Sequence, residues 1–233
     1  MAGMAASGPR VWVTRARPGA DRTAAALTAR GFTPIIAPVI ALKPLDTPVD
    51  LTGVTGLAFT SRNGVAAFAD RTPRRDWPVF TVGDATAEAA RAAGFTDVRS
   101  AGGAVDELTA LIAGTWPADG GLILAPGPRE PAGDLAGALA GRVRVHALPL
   151  YAAVGTDIAP PEAFDVVLVH SPRAARALAV RLPPEGGRER LLVAISAAAA
   201  APLGQTGFAE IRIAATPTED SLLGALGNPA RPV

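Results

Sequence analysis

The sequence predicts an α/β fold with largely parallel sheets, and three observations carry that expectation. Short β-rich runs alternate with alanine-rich runs almost from end to end of the 233 residues. Hydrophobic residues make up 49% of the chain but aromatic ones only 5%, so the apolar content suits helices packed on sheets. Two extended segments, 37–50 and 147–162, lead from one strand to the next without an intervening helix. Pro38, Pro44 and Pro48 in one, and Pro149, Pro160 and Pro161 in the other, would break any helix there.

Val11-Trp12-Val13-Thr14 opens the chain as a strand, and a helix over 21–30 follows, closed by Gly31. An extended run comes next at 34–42. Later strands are expected at 56–61, 79–82, 97–100, 121–125, 142–148, 165–170, 190–195 and 210–214, which makes ten candidates in all. Helices are expected at 63–70, 85–93, 105–113, 131–140, 173–182, 198–203 and 219–226.

If both proline-rich segments are crossings, each half of the chain is a five-stranded α/β unit. Residues 1–40 and 160–233 then form one discontinuous domain, 50–147 form a domain inserted into it, and 41–49 with 148–159 are connectors. The competing reading is one continuous ten-stranded sheet; open sheets that wide are less usual.

Lys+Arg and Asp+Glu nearly cancel to a formal charge of +1, so there is no whole-molecule field to steer the protein to nucleic acid or an anionic membrane. Anion recognition must therefore be local. The absence of cysteine removes disulfides, thiolate metal sites and a cysteine nucleophile together. The first ten residues are too short and too little apolar for a signal peptide, and no apolar run approaches a membrane span, which leads us to expect a cytoplasmic protein. No GxxxxGK[ST], GxGxxG after the first strand, or GxSxG occurs, which argues against an NTPase, a dinucleotide-dependent enzyme and a serine hydrolase. His146 and His170, the only histidines, lie in or beside expected strands; burial explains them, and their spacing suggests no shared metal.

In open parallel sheets ligands bind outside the carboxyl ends of the strands, where loops lead into helix N-termini. Five such loops stand out: 14–19, 60–64, 82–86, 125–129 and 170–173. Each places a hydroxyl, amide or glycine backbone near a helix start, whose unpaired N–H groups can receive a carboxylate, and four of the five carry arginine. Taken singly, Ser61, Asn63, Asp84 and Ser171 read more readily as ordinary helix caps; the recurrence of the same chemistry at strand ends in both halves is what points to one polyanionic ligand. Tyr151, the only tyrosine, lies in the second crossing segment, where its phenol could donate a hydrogen bond at a reacting oxygen or simply pack on a hinge.

Six stretches bear a family likeness. The opening VWVTRARPGADRTAAALTARGFTPIIAPVIAL, the segments GLAFTSRNGVAAF and VFTVGDATAEAARAAGF, the linker ALPLYAA, then FDVVLVHSPRAARAL and ATPTEDSLLGAL resemble, in order and spacing, the uroporphyrinogen-III synthases. That resemblance implies two similar five-stranded, flavodoxin-like parallel-sheet domains joined by a two-stranded connector, with the substrate in a cleft between them. It implies conversion of hydroxymethylbilane to uroporphyrinogen III, with loss of water and inversion of ring D, without metal or organic cofactor; a monomer is the default expectation. Hydroxymethylbilane synthase would hand over the substrate. By the same analogy Tyr151 assists departure of the hydroxyl group. Ser61, Asn63, Thr86 and Ser171 hold substrate carboxylates directly or through neighbouring N–H groups, with the backbone at Gly83 and Gly127 and with Arg15, Arg62 and Arg173 beside them. The family often has threonine in a G-x-T-A segment where this chain reads Ile195-Ser196-Ala197-Ala198, so by the resemblance either Ser196 supplies that hydroxyl or the backbone serves in its place. Two other readings stay open at this point: a hinged two-domain small-molecule receptor or sensor without catalysis, and a transferase using a nucleotide-sugar donor.

Overall fold

The computed structural model of the protein describes residues 8–117, 119–183 and 185–229. Of the N-terminal segment discussed above, residues 1–7 lie outside them. The chain opens with β1 (Arg10–Val13), α1 (Gly19–Ala29), β2 (Thr33–Ile36) and β3 (Ile40–Pro44). There follow β4 (Val54–Phe59), α2 (Arg62–Ala69), β5 (Val79–Thr81), α3 (Asp84–Ala92), β6 (Val98–Ser100) and α4 (Val105–Thr115). Next come β7 (Leu122–Pro128), α5 (Leu135–Ala138) and β8 (Arg144–Gly155). The chain closes with β9 (Val166–Val169), α6 (Pro172–Ala179), β10 (Leu191–Ala194), α7 (Ala197–Ala200), β11 (Glu210–Ile213) and α8 (Glu219–Leu226). Among the described residues no helix is long and apolar enough to cross a membrane.

The fold is mixed α/β, and the strands form two sheets, in the orders β11-β10-β9-β1-β2 and β3-β8-β7-β4-β5-β6. Residues 1–42 with 154–233 form one compact unit and 43–153 a second. Parallel pairing runs through the first sheet from β11 to β2 and through the second from β8 to β6. Strands covered on both faces by helices read as continuous apolar runs, which is why β9 is Val-Val-Leu-Val and wholly buried.

Several expectations need correction. The run at 34–42 is two strands, not one: β2 pairs with β1, while β3 stands at the edge of the second sheet, which therefore has six strands. Pro38, with no N–H for a ladder, lies in the break between them. The helix expected over 131–140 shrinks to α5, because Pro131 and Gly133 do not continue it and Asp134 caps it by accepting the Gly137 N–H at 2.8 Å. In place of a helix over 198–203 there is α7 followed by one 3₁₀ turn at Ala201–Leu203, which contains Pro202. β8 runs past the expected end at 148, as far as Gly155.

The two sheets also differ in chain order. Numbered along the chain, the first unit has the order 2-1-3-4-5 of flavodoxin-like folds, whereas the five parallel strands β4–β8 of the second run 3-2-1-4-5. Both orders describe one arrangement. Reading the first unit from β9 through β11 and then β1 and β2 superposes its strand order on β4 through β8, so the units are circular permutations of a single plan.

In the first unit Trp12 is fully buried, donates its indole N–H to the Ala37 carbonyl at 2.7 Å, and meets Phe164 edge to face at 5.1 Å. Alternate strand residues supply the two faces. Trp12, Val167 and Leu192 pack on α6, and Val11, Leu168 and Val193 pack on α1 and α8. In the second unit Ala58, Phe80 and Ile123 pack against Leu108 and Ile112 of α4, while Phe59 packs on Phe68 and Phe95. Trp77 completes that second layer and donates to the Val54 carbonyl at 3.0 Å.

Candidate functional site

In each sheet the strand order reverses at one place, and loops from two neighbouring strands diverge there to leave a crevice at the carboxyl ends. The reversal lies between β1 and β9 in the first unit and between β4 and β7 in the second.

In the second unit Ser61 follows β4 with extended backbone and caps α2, accepting the Gly64 N–H at 3.1 Å. Its Oγ also lies 3.0 Å from the phenol oxygen of Tyr151 on β8. Tyr151 is buried, which pushes its phenol above the usual value, and the hydrogen bond with Ser61 offsets only part of that. The phenol therefore stays protonated at neutral pH and keeps an O–H able to donate a hydrogen bond. Arg62 and Asn63 occupy the first turn of α2, half-buried. Gly83 is the cap residue of α3 without a side chain to fill that role, and Thr86 is buried in the first turn of the same helix. Gly127 lies on β7 and lines a cavity of about 270 Å³ together with Thr60, Pro126, Arg129, Asp134 and Leu148.

The first unit is built differently at its reversal. Thr14 is fully buried and its hydroxyl donates to the Leu168 carbonyl at 2.6 Å, which ties β1 to β9. Arg15, the next residue, donates from Nη1 to Glu219 Oε2 at 2.7 Å, and Thr23 donates to the other carboxylate oxygen at 2.5 Å. His170, at the end of β9, brings Nε2 to 3.3 Å from Glu219 Oε2 with its side chain only 5% exposed. At that distance the contact is not a well-formed hydrogen bond, and among the described residues neither ring nitrogen has another hydrogen-bonding partner. Burial draws the Glu219 carboxyl upward, but His170, Thr23 and Arg15 outweigh it and bring the pKa down to about 2. Burial pushes His170 below its usual value despite the carboxylate, so at neutral pH the cluster holds a carboxylate, a guanidinium and a neutral imidazole. A Cβ on Gly19 would come within 2.6 Å of Arg15 Nε, so only glycine lets the arginine lie against the first turn of α1 in this way.

Ser171 caps α6 by accepting the Ala174 N–H at 3.1 Å, and Arg173 is half-buried in the same first turn. Ser196 caps the four-residue α7 by accepting the Ala199 N–H at 3.3 Å.

The structure thus joins Ser61 to Tyr151 directly, and gathers Arg62, Asn63 and Gly127 at the strand ends of the second unit. Arg15, Ser171, Arg173 and Ser196 belong to the first unit. Thr23 and Glu219 were missed, and His170 was set aside as a packed strand residue. Glu219 had one visible signal, an acid at the start of the last helix directly after the capping Thr218. Arg15 was already marked by its place in the 14–19 loop, but nothing in the sequence signalled Thr23 or linked either residue to Glu219, 204 and 196 residues later.

The likeness noted above holds up in direct comparison. The family model for uroporphyrinogen-III synthase HemD matches residues 21–224. Among solved structures, the fold resembles a uroporphyrinogen-III synthetase from Helicobacter pylori with a TM-score of 0.66 and 16% identity, covering 94% of this chain and 98% of that one. It also resembles a mutant uroporphyrinogen III synthase from the extremely thermophilic bacterium Thermus thermophilus, with a TM-score of 0.55 and 20% identity over 94% of this chain and 97% of the other. None of the curated proteins matches. With a family model matched across nearly its whole length, the chain belongs to the uroporphyrinogen-III synthase family.

Proposed function

We propose that the protein converts hydroxymethylbilane to uroporphyrinogen III, as a cofactor-independent, cyclising carbon–oxygen lyase of tetrapyrrole biosynthesis. The match of the family model to residues 21–224 carries this reading. The electron-rich terminal pyrrole expels its hydroxyl group, which leaves as water once it takes up a proton, and an azafulvene electrophile results. Attack on it by the substituted carbon of ring D forms a spiro intermediate, and fragmentation with reclosure inverts that ring. The protein's part is conformational, since it must hold a flexible chain in the one geometry that reacts in the inverting sense. Tyr151, kept protonated by burial and steadied by Ser61, donates to the departing oxygen. Ser61, Asn63, Thr86, Ser171 and Ser196, the backbone at Gly83 and Gly127, and Arg15, Arg62 and Arg173 take the acetate and propionate groups. Helix-start N–H groups are suited to that role because they carry the positive end of the helix dipole.

The same proposal includes two domains, 1–40 with 160–233 and 50–147, linked by connectors at 41–49 and 148–159. It also includes a monomer acting in the cytoplasm on substrate received from hydroxymethylbilane synthase. The test is incubation with enzymatically generated hydroxymethylbilane in excess chelator, followed by separation of the I and III isomers. Spontaneous closure gives isomer I, so folded protein should raise the III:I ratio with nothing added. Isomer I alone, or dependence on an added metal or nucleotide, would overturn it.

A further inference from the structure

The cavity of about 270 Å³ in the second unit lies at the carboxyl ends of β4 and β7, where the strand order reverses, and is also walled by Ala147–Pro149 within β8. The permuted plan of the two units shows what stands there in the first. Ser61 and Ser171 are equivalent, each capping the helix after its strand, so Thr60 corresponds to His170 and Leu57 to Val167. Leu57 pairs with Leu124 and Val167 pairs with Trp12; three residues on, Gly127 therefore occupies the position of Arg15. In the first unit these positions carry Arg15 and His170, which meet over Glu219. In the second they carry glycine and threonine, and the space is open.

Nothing in the backbone requires that glycine. Gly127 is not among the residues with positive φ, and a Cβ added to it would meet nothing within 4 Å. A glycine inside a strand weakens the strand, so the compensation must lie in the space it leaves. The walls of that space are chiefly apolar, with Pro126, Leu135 and Leu148 among them, and Thr60, Asp134 and Arg129 add an acceptor-bearing hydroxyl, a carboxylate and a guanidinium. Apolar walls suit the face of an aromatic ring, the oxygens suit a ring N–H, and the guanidinium suits a carboxylate arm. The volume is below the ~300–1,000 Å³ usual for sites that enclose a drug-sized molecule, and so matches one ring rather than four. Its surroundings adjoin the Ser61–Tyr151 pair: Thr60 precedes Ser61, and Pro128, also in the lining, is the register partner of Tyr151.

We propose that this cavity receives a single pyrrole ring of the substrate, with a carboxylate arm on Arg129, and thereby sets which ring lies beside the Tyr151 hydroxyl. The assignment rests on the tetrapyrrole reading above and is tested by two measurements that can fail separately. The probe for the first is a free monopyrrole carrying one acetate and one propionate arm, titrated into the whole protein at millimolar concentration. Amide shifts should move at Thr60, Gly127, Leu135 and Leu148, and should not move in Gly127→Leu, which fills the cavity. Absent shifts, or shifts equal in the variant, overturn the proposal. In the second measurement Gly127→Leu should lower kcat/KM for hydroxymethylbilane about tenfold or more and reduce the III:I ratio. Gly127→Ala, with a smaller intrusion, should fall between it and the wild type. Wild-type turnover in a normally melting Gly127→Leu overturns the cavity's role while leaving the activity intact. Wild-type protein that forms no isomer III removes the activity, and the titration alone then decides whether the cavity takes a ring.

Discussion

The hydroxyl of Tyr151 on β8 lies 3.0 Å from the Oγ of Ser61, the residue that caps α2, although 90 residues separate them in sequence. A buried phenol is thereby tied to a helix start at the carboxyl end of a central strand. Tyr151→Phe removes one hydroxyl and keeps most of the ring's packing. Turnover should fall by about tenfold to several hundredfold, equivalent to roughly 1–4 kcal/mol of transition-state stabilisation, while substrate affinity changes less. The melting temperature should shift by no more than the loss of one hydrogen bond allows, about 0.5–1.5 kcal/mol. Equal turnover at equal stability would remove Tyr151 from the chemistry.

Ser61→Ala deletes both the cap on α2 and the partner of the phenol. Stability should drop by about 1 kcal/mol, measured by denaturant unfolding. Combined with Tyr151→Phe, its effect on turnover should be less than additive, because the two hydroxyls act as one unit. Strict additivity would show that they act independently.

Glu219 is held at about 2, against an ordinary value of 4.5, so its contribution to stability is present above pH 4.5 and is lost as the pH falls toward 2. Glu219→Gln should cost about 1–3 kcal/mol at pH 7 and flatten the stability profile across that acid window. His170 is pushed below its usual 6.5, so the unfolded chain takes up its proton first and stability declines as the pH drops below 6.5. Arg15 and Glu219 face the imidazole throughout. His170→Gln should remove the decline that begins near pH 6.5 and leave the more acidic one. Urea unfolding from pH 8 to pH 3 distinguishes the two limbs.

Gly19 and Arg15 should be energetically coupled, since a Cβ at Gly19 would lie 2.6 Å from Nε and 2.9 Å from Cζ of Arg15. Gly19→Ala should displace the guanidinium from Glu219, and should cost less stability when Arg15 is already glutamine. A double-mutant cycle with no interaction energy would refute this coupling.

Residues 43–153 should fold when excised, because β4–β8 and their helices make a complete layer with its own core. A cooperative thermal transition by circular dichroism and protected amides in β4 and β7 are the expected result. An unfolded fragment would show that this unit depends on the rest of the chain.

Much of the architecture was legible because local physics writes it into short stretches. Short, β-branched apolar runs such as Val166–Val169 read as strands covered on both faces, and Ser61, Ser171 and Thr218 announce helix starts by having an oxygen where free N–H groups begin. The errors fell where local signals are weak or in competition. Pro38 divided one apparent strand into two that join different sheets, and Pro131 with Gly133 cut a helical pattern back to a single turn around the Asp134 cap.

By itself the sequence determined the alternation of strands and helices, the loops at the strand ends, and a single tyrosine in the second proline-rich segment. Those follow from periodicity, backbone preference and side-chain chemistry, all of which act over a few residues. Only the tertiary structure decided that the two units are permutations of one plan, because strand order is a matter of long-range pairing. It alone brought Glu219 to Arg15, Thr23 and His170 and opened a cavity at Gly127 where the other unit has a charged cluster. Burial then keeps an imidazole neutral in one unit and a phenol protonated beside Ser61 in the other, while the Glu219 carboxylate is held ionised against burial by His170, Thr23 and Arg15.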